Sequence, residues 1–242
     1  MRRQGLLLLA AWLGSFWLFA QQSGWKHALS YVASKNQTPI FERNTLWELV
    51  WQHLNLCLFS MLLVMIIGLP LALFVTRSYG KPFLGLVSNT VNIGQIFPPT
   101  AVLFLFLPIF GFGPTAAIIA LFIYGLLPTV RGGLLGLSTI PEDQSNAALG
   151  CGMNAWQILW RLEFPQALPS ILAGLRTSLI LIIATATVAP LVGTGGLGVP
   201  IIAGLSTNNV ALVLEGALPV ALIAVLADMT VRWLEQVLVR WA

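Results

Sequence analysis

Charge is what this sequence lacks most. Only 8% of its 242 residues are Asp, Glu, Lys or Arg, against about 25% in a soluble domain. So few ionic side chains cannot cover a water-facing surface. With 57% hydrophobic residues and a mean hydropathy of +0.87, the solvent around the chain has to be lipid. The two cysteines, Cys57 and Cys151, make no disulfide framework, and each reads as a free structural thiol. The two histidines, His27 and His53, stand apart without metal-ligand spacing, which argues against a metal or catalytic role. The P-loop pattern Gly-x-x-x-x-Gly-Lys-Ser/Thr is missing, so the chain does not hold ATP that way. No Ser/His/Asp arrangement presents itself, and the chain is not read as an enzyme. A net charge of +4 does not point to nucleic acid, because the basic residues are scattered at span ends.

What is present is a series of apolar runs without strand-like alternation. In lipid every backbone N–H and C=O needs an internal partner, so such runs predict helices rather than a barrel. Met1-Arg2-Arg3 precedes the apolar stretch Gly5–Ala20. It has the outline of a signal peptide, but Leu18 is too large for the −3 position of a cut after Ala20, and Trp and Phe crowd the stretch. An uncleaved first span is expected. Gln21–Thr45 is polar and reads as a water-exposed connection. Thr45-Leu-Trp-Glu48 has the form of a capping box and opens span two. Span three runs from about Phe83 to Leu107, with a break predicted at Pro98-Pro99. Span four is Thr115–Leu137, span five Ala167–Val192 and span six Val210 to about Trp233, followed by a basic end, Arg232–Arg240.

Six spans of ~20 residues match the thickness of a bilayer. With the N-terminus inside, Arg2, Arg3, Arg77, Lys81, Arg131, Arg161, Arg176, Arg232 and Arg240 fall on the inner side, and Lys26, Lys35 and Arg43 on the outer. The positive-inside rule then puts both termini in the cytoplasm.

One polar island interrupts this pattern, Thr139–Pro165 between spans four and five. Thr139-Ile-Pro141-Glu142 has the form of a capping box, and a helix is expected to run to Leu149 with Gly150 as its C′ residue. Asn154-Ala-Trp-Gln157 looks like a second cap, and Trp156, Leu159, Trp160 and Leu162 give the second helix an apolar stripe. Pro165 and Pro169 are expected to end the island. From the residues alone, a docking element and an ordinary interhelical loop on lipid headgroups are equally good readings.

The segment Asn146-Ala147-Ala148-x₃-Gly152-x₉-Leu162-Glu163-Phe164-Pro165 resembles the EAA signature, E-A-A-x₃-G-x₉-I-x-L-P, of permease subunits of binding-protein-dependent ABC importers. The spacing matches throughout, and Asn146 stands where the signature has glutamate. Gln95-Ile-Phe-Pro98-Pro99, Leu107–Pro114, Tyr124-Gly-Leu-Leu-Pro128, Ala173-Gly-Leu-Arg176-Thr177 and Gly193–Gly198 are similar to the osmoprotectant branch, which handles glycine betaine and choline. The resemblance covers about Trp47 to Val239.

It implies an all-α integral membrane protein with six transmembrane helices and the type I importer permease fold, with cytoplasmic coupling helices between spans four and five. Residues 1–45 would be the first transmembrane helix and its external connection, and 46–242 the permease domain. Asn146, Ala147, Ala148, Gly150 and Gly152 would contact the ATPase, while Leu162 and Pro165 would carry the motion into span five. The implied partners are ABC ATPase subunits, a second permease, identical or related, an extracytoplasmic substrate-binding protein and membrane lipid. ATP and Mg would bind in the partner ATPase, with no cofactor in this chain. The implied location is the bacterial inner membrane. The remaining alternatives are an importer for another small solute such as an amino acid, a secondary transporter or channel, and a membrane scaffold.

Four other signals remain. Broken helices often line pathways, so Asn92, Gln95, Pro98, Pro99 and Tyr124 are candidates for a pathway or gate, with ordinary interhelical bonding equally open. Tyr124 and the phenylalanines would offer aromatic faces to a quaternary ammonium, although core packing also accounts for them. Gly193-Thr-Gly195-Gly196-Leu-Gly198 matches a dinucleotide fingerprint by letters only, since no βαβ unit surrounds it; a turn or substrate-side gate is expected. Glu215 and Asp228 are charges within span six, and Asp228 is spaced to pair with Arg232.

Overall fold

Eleven α-helices and no strand occur among the described residues, 2–239, of the computed structural model. Met1 and residues 240–242 lie outside them, and with them the expectation placed on Arg240. The helices are α1 (Arg2–Ala20), α2 (Gln22–Ser30), α3 (Leu46–Thr76), α4 (Leu84–Ile96), α5 (Pro99–Phe110), α6 (Pro114–Ser138), α7 (Glu142–Gly150), α8 (Ala155–Ile158), α9 (Phe164–Thr185), α10 (Gly198–Ser206) and α11 (Val210–Leu238). Helices α1, α3, α6, α11 and the stretch Ala155–Val192 are each long and apolar enough to cross a membrane.

A further crossing exists only if α4 and α5 count as one, and these are bent by 103°. The cause lies at the predicted break. Phe97 (φ −74°, ψ 142°) and Pro98 (φ −58°, ψ 143°) are both extended. A residue before proline is pushed out of the α region, and two prolines in a row supply no N–H to the ladder. Pro99 then opens α5 at a position where no donor is needed.

Helix α3 begins with the predicted capping box. Thr45 Oγ1 accepts the Glu48 N–H at 3.2 Å, and Glu48 Oε2 accepts the Thr45 N–H at 3.1 Å. The centre of the fold is α6, packed between α3 and α9. Small residues let the backbones meet there, as is usual where lipid supplies no hydrophobic drive. A Cβ on Gly132 would lie 2.6 Å from the Ser170 carbonyl oxygen, and one on Gly174 would lie 2.5 Å from that of Pro128. Polar groups inside this packing are satisfied: Thr129 Oγ1 and Ser178 Oγ are 2.7 Å apart, and Ser178 Oγ donates to the Gly125 carbonyl at 2.6 Å.

The connection between α1 and α3 is more structured than its polarity suggested. It contains α2, and its later part is strapped across the start of α11. Gln37 Nε2 reaches the Thr207 and Asn208 carbonyls at 3.3 Å, Asn209 Nδ2 donates to the Thr38 carbonyl at 2.9 Å, and the Phe41 N–H donates to Glu215 Oε2 at 2.7 Å. Leu29, Ile40 and Ala211 bury a small apolar cluster under the strap.

Candidate functional site

The polar island lies at one end of the bundle, beside the ends of α3 and α6. Three of its expected details change. Thr139 does not cap α7: it remains in the α region (φ −82°, ψ −7°) at the end of α6, and its Oγ1 donates back to the Gly136 carbonyl at 3.1 Å. Pro141 is the extended residue before α7, because an N-cap requires a non-helical backbone. Gly150 is the last residue of α7 rather than its C′ residue. Gly152 takes that place, at φ +82°. The Met153 N–H reaches the Ala148 carbonyl (3.1 Å), and the Gly152 N–H reaches that of Leu149 (2.9 Å). This pair of bonds is the Schellman closure, which needs a left-handed residue at C′.

The second half of the island does not stop before span five. Asn154 caps α8 as expected, accepting the Gln157 N–H at 2.8 Å while Gln157 Oε1 accepts the Asn154 N–H at 2.9 Å. The chain then continues through one π-helical stretch, Leu159–Glu163, straight into α9. Pro165 lies in the first turn of α9 and Pro169 inside it, so the prolines start the long helix instead of ending the island. Trp156 and Trp160 stay exposed while Leu159 is buried, which splits the expected stripe. Trp156 meets Trp160 edge-on at 5.5 Å, and Trp160 meets the half-buried Phe164 at a tilt at 5.0 Å.

Asn146, Ala147, Gly150 and Gly152 are exposed together, and a Cβ on either glycine would meet nothing within 4 Å. Leu162 and Pro165 are half-buried where the island joins α9. Asn146 and Glu163 help to line a cavity of about 600 Å³, with Lys81, Ser88 and Ser145. Glu163 is also fixed from across the fold, since Arg77, the extended residue that follows α3, donates to its Oε2 at 2.5 Å. The sequence reading missed this pair. Its two residues are 86 apart, and only the return of α9 past the end of α3 brings them together.

The candidates around the proline break do meet, in the seam between α4 and α6. Gln95 Nε2 donates to the Tyr124 carbonyl at 2.7 Å, and the Tyr124 hydroxyl donates to the Phe97 carbonyl. Asn92 Oδ1 accepts from Arg131 Nη2 at 2.9 Å. The Tyr124 ring itself is buried in the main core. Arg131 had been weighed only as an orienting charge. It lies within α6 (Pro114–Ser138) and already within span four as read from the sequence, Thr115–Leu137, so the same signal that singled out Asp228 applies to it.

At the other end of the bundle, Gly193 (φ +82°) ends the 3₁₀ turn after α9, and the Gly196 N–H donates to Gln52 Oε1 at 3.0 Å. This ties the glycine loop to α3 beside a cavity of about 400 Å³ lined by Gln52, Asn55, Thr194 and Gly195. His53 is fully buried below it, and its Nε2 lies 3.1 Å from the Ile183 carbonyl. In α11, Asp228 pairs with Arg232 at 2.7 Å as spaced, and also with Arg176 of α9 at 3.2 Å.

The sequence of residues 68–240 matches the model of the family described as binding-protein-dependent transport system inner membrane component. The chain belongs to this family. The permease is 34% identical over 192 residues to the carnitine transport permease protein OpuCD of Listeria monocytogenes, covering 79% of this chain and 85% of that one. It is 36% identical over 196 residues to the glycine betaine/carnitine/choline transport system permease protein OpuCB of Bacillus subtilis, covering 80% and 89%. With the osmoprotectant import permease protein OsmY of Salmonella typhimurium it shares 37% over 182 residues, covering 75% and 77%. Its fold matches a chain of the MetNI methionine ABC transporter, determined in inward-facing conformations, with a TM-score of 0.70 and 23% identity over 82% of this chain and 99% of that one. The permease therefore has the helical fold of type I importer permeases and is a multi-pass inner-membrane protein.

Proposed function

We propose that the chain is the transmembrane subunit of an ATP-driven importer and forms the pathway for a small osmoprotectant such as glycine betaine, carnitine or choline. The observation that carries this reading is the identity of 34–37% to permeases named for those solutes, over three quarters or more of the chain. The island supports it physically. Its exposed face of small residues leaves room for another surface, and its π-helical junction runs without a loop into the long helix α9.

On this reading α4 and α5 together form the third of six spans, residues 1–45 precede the permease domain 46–242, and the α7 end with both termini faces the cytoplasm. Helix α7 and the α8 turn are the coupling helices. Asn146, Ala147, Ala148, Gly150 and Gly152 seat in a groove of the partner ATPase, which binds ATP and Mg and performs the hydrolysis. Leu162 and Pro165 pass its movement to α9. Asn146 offers an amide where the signature has a carboxylate, so it brings a hydrogen-bonding group but no charge to this contact. A second permease completes the pathway, and a binding protein delivers the solute from outside.

The test is uptake of radiolabelled glycine betaine, carnitine and choline by the reconstituted complex, with and without ATP, for the unaltered chain and for Gly152→Asp. The substitution abolishes ATP-driven uptake and leaves membrane insertion intact. Unchanged uptake in the variant defeats the docking role. Uptake of an amino acid in place of all three solutes defeats the substrate reading.

A further inference from the structure

Arg131 differs from Arg77, Arg176 and Arg232, the arginines that ion pairs hold at the helix contacts. Arg77 pairs with Glu163, and Arg176 and Arg232 share Asp228. Arg131 is held through one Nη2 by a neutral group, Asn92 Oδ1, at 2.9 Å, and among the described residues no carboxylate pairs with it. A guanidinium carries five N–H donors in a planar fork suited to a carboxylate. Most of that fork is unclaimed, and Arg131 is exposed in the single chain.

A lipid phosphate is a poor fit for this vacancy. An arginine that serves the headgroups stretches toward the interface. Asn92 lies eight residues into α4, counted from Leu84 at the α7 end, which is about 12 Å along the helix at 1.5 Å per residue. Side chains lean toward the N-terminus of their helix, so Arg131 leans away from the α7 end as well. Asn92 therefore holds the fork well along the bundle from the α7 end.

A second copy of this chain offers no acid there either. Of its eight acidic residues, Glu163 and Asp228 are already paired, and Glu215 is buried against the Phe41 N–H. Glu42, Glu48, Glu142, Asp143 and Glu235 sit in connections or terminal turns. The missing counter-ion has to arrive from outside the chain.

We infer that Arg131, oriented by Asn92, binds the carboxylate of the transported solute as it passes the α4–α6 seam. It thereby favours zwitterionic osmoprotectants, which carry a carboxylate, over choline, which carries none. This rests on the import reading above. The carboxylate would take the free edge of the guanidinium in a charge-assisted pair, leaving the quaternary ammonium to other groups of the pathway.

The experiment uses the reconstituted complex with its ATPase and binding protein. In Arg131→Gln, uptake of glycine betaine falls about tenfold, equivalent to about 1.4 kcal/mol, while choline uptake changes less than twofold. Arg131→Lys recovers part of the loss. A labelling arm covers the case in which the unaltered complex carries only the zwitterion. Ser88→Cys, one turn before Asn92 on the same face of α4, in a chain with Cys57→Ala and Cys151→Ser, is modified by a soluble thiol reagent. Glycine betaine slows this modification, choline does not, and adding Arg131→Gln removes the protection. Unchanged betaine uptake, equal loss of both solutes, or protection that survives Arg131→Gln overturns the inference. Equal loss, with unaltered uptake that depends on anionic lipid, assigns Arg131 to a lipid phosphate. If the unaltered complex carries none of glycine betaine, carnitine and choline, the substrate reading fails, and this inference fails with it.

Discussion

The Gln95 side-chain amide donates to the Tyr124 backbone carbonyl at 2.7 Å, and Pro128 explains why that carbonyl is free. In a helix the carbonyl of residue 124 accepts from the N–H of residue 128, and proline has none. Helix α6 stays continuous through Pro128 because a side chain from the broken segment α4–α5 supplies the missing donor. The Tyr124 hydroxyl returns the contact by donating to the Phe97 carbonyl at the break itself. Two proline defects in different spans are thus satisfied by one another.

This reciprocity predicts a coupling. Gln95→Ala leaves a carbonyl without a partner inside the packed helices, at a cost of about 1–3 kcal/mol. Pro128→Ala restores the helical N–H. In that background Gln95→Ala costs clearly less, as measured by thermal unfolding of the detergent-purified chain in a double-mutant cycle. Equal costs in both backgrounds would show that the bond does not serve the proline defect.

Arg77 and Glu163 join the end of α3 to the π-helical junction of the island, with both side chains largely shielded, at 27% and 14% exposure. Breaking the pair with Arg77→Gln leaves the carboxylate alone. Discounted for its partial exposure, the loss is about 1–2 kcal/mol. The exchange Arg77→Glu with Glu163→Arg regains most of it. Unfolding midpoints of the three chains, read beside ATP-driven uptake, test this. An exchanged chain as impaired as the single variant argues against an ionic role.

Gly150 and Gly152 face the same open space but differ in backbone. Gly150 is helical, so Gly150→Ala stabilises α7 by about 0.5–1 kcal/mol. Gly152 lies at φ +82°, where a Cβ is strained, so Gly152→Ala destabilises by about 1 kcal/mol. Thermal melts of the two variants should move in opposite directions. Movement in the same direction would contradict the assignment of Gly152 as the helix-closing residue.

The legible parts of the fold were those set by short range. The caps at Thr45–Glu48 and Asn154–Gln157 join residues only three positions apart, and both formed. The break at Pro98-Pro99 follows from two adjacent prolines, each of which pushes the residue before it, Phe97 and then Pro98, out of the helical region. Thr139–Glu142 carries the same letters as a cap and failed, because α6 persists through Thr139 and keeps it helical. The choice between Gly150 and Gly152 turned on where α7 ended, and no local residue type distinguishes two glycines two apart.

Sequence by itself determined that this chain lives in lipid, that its apolar runs are helices, and that a signature-bearing island separates two of them. Hydropathy, the backbone's need for partners and the spacing of the island are all properties of the chain read along its length. Only the tertiary structure decided which distant groups complete one another: Gln95 with Tyr124, Arg77 with Glu163, Asp228 with Arg176, and Glu215 with the strap at Phe41. It also left Arg131 beside Asn92, with no acid paired to it among the described residues. Such pairings depend on how helices stack and how deep each residue lies, and no local pattern records either.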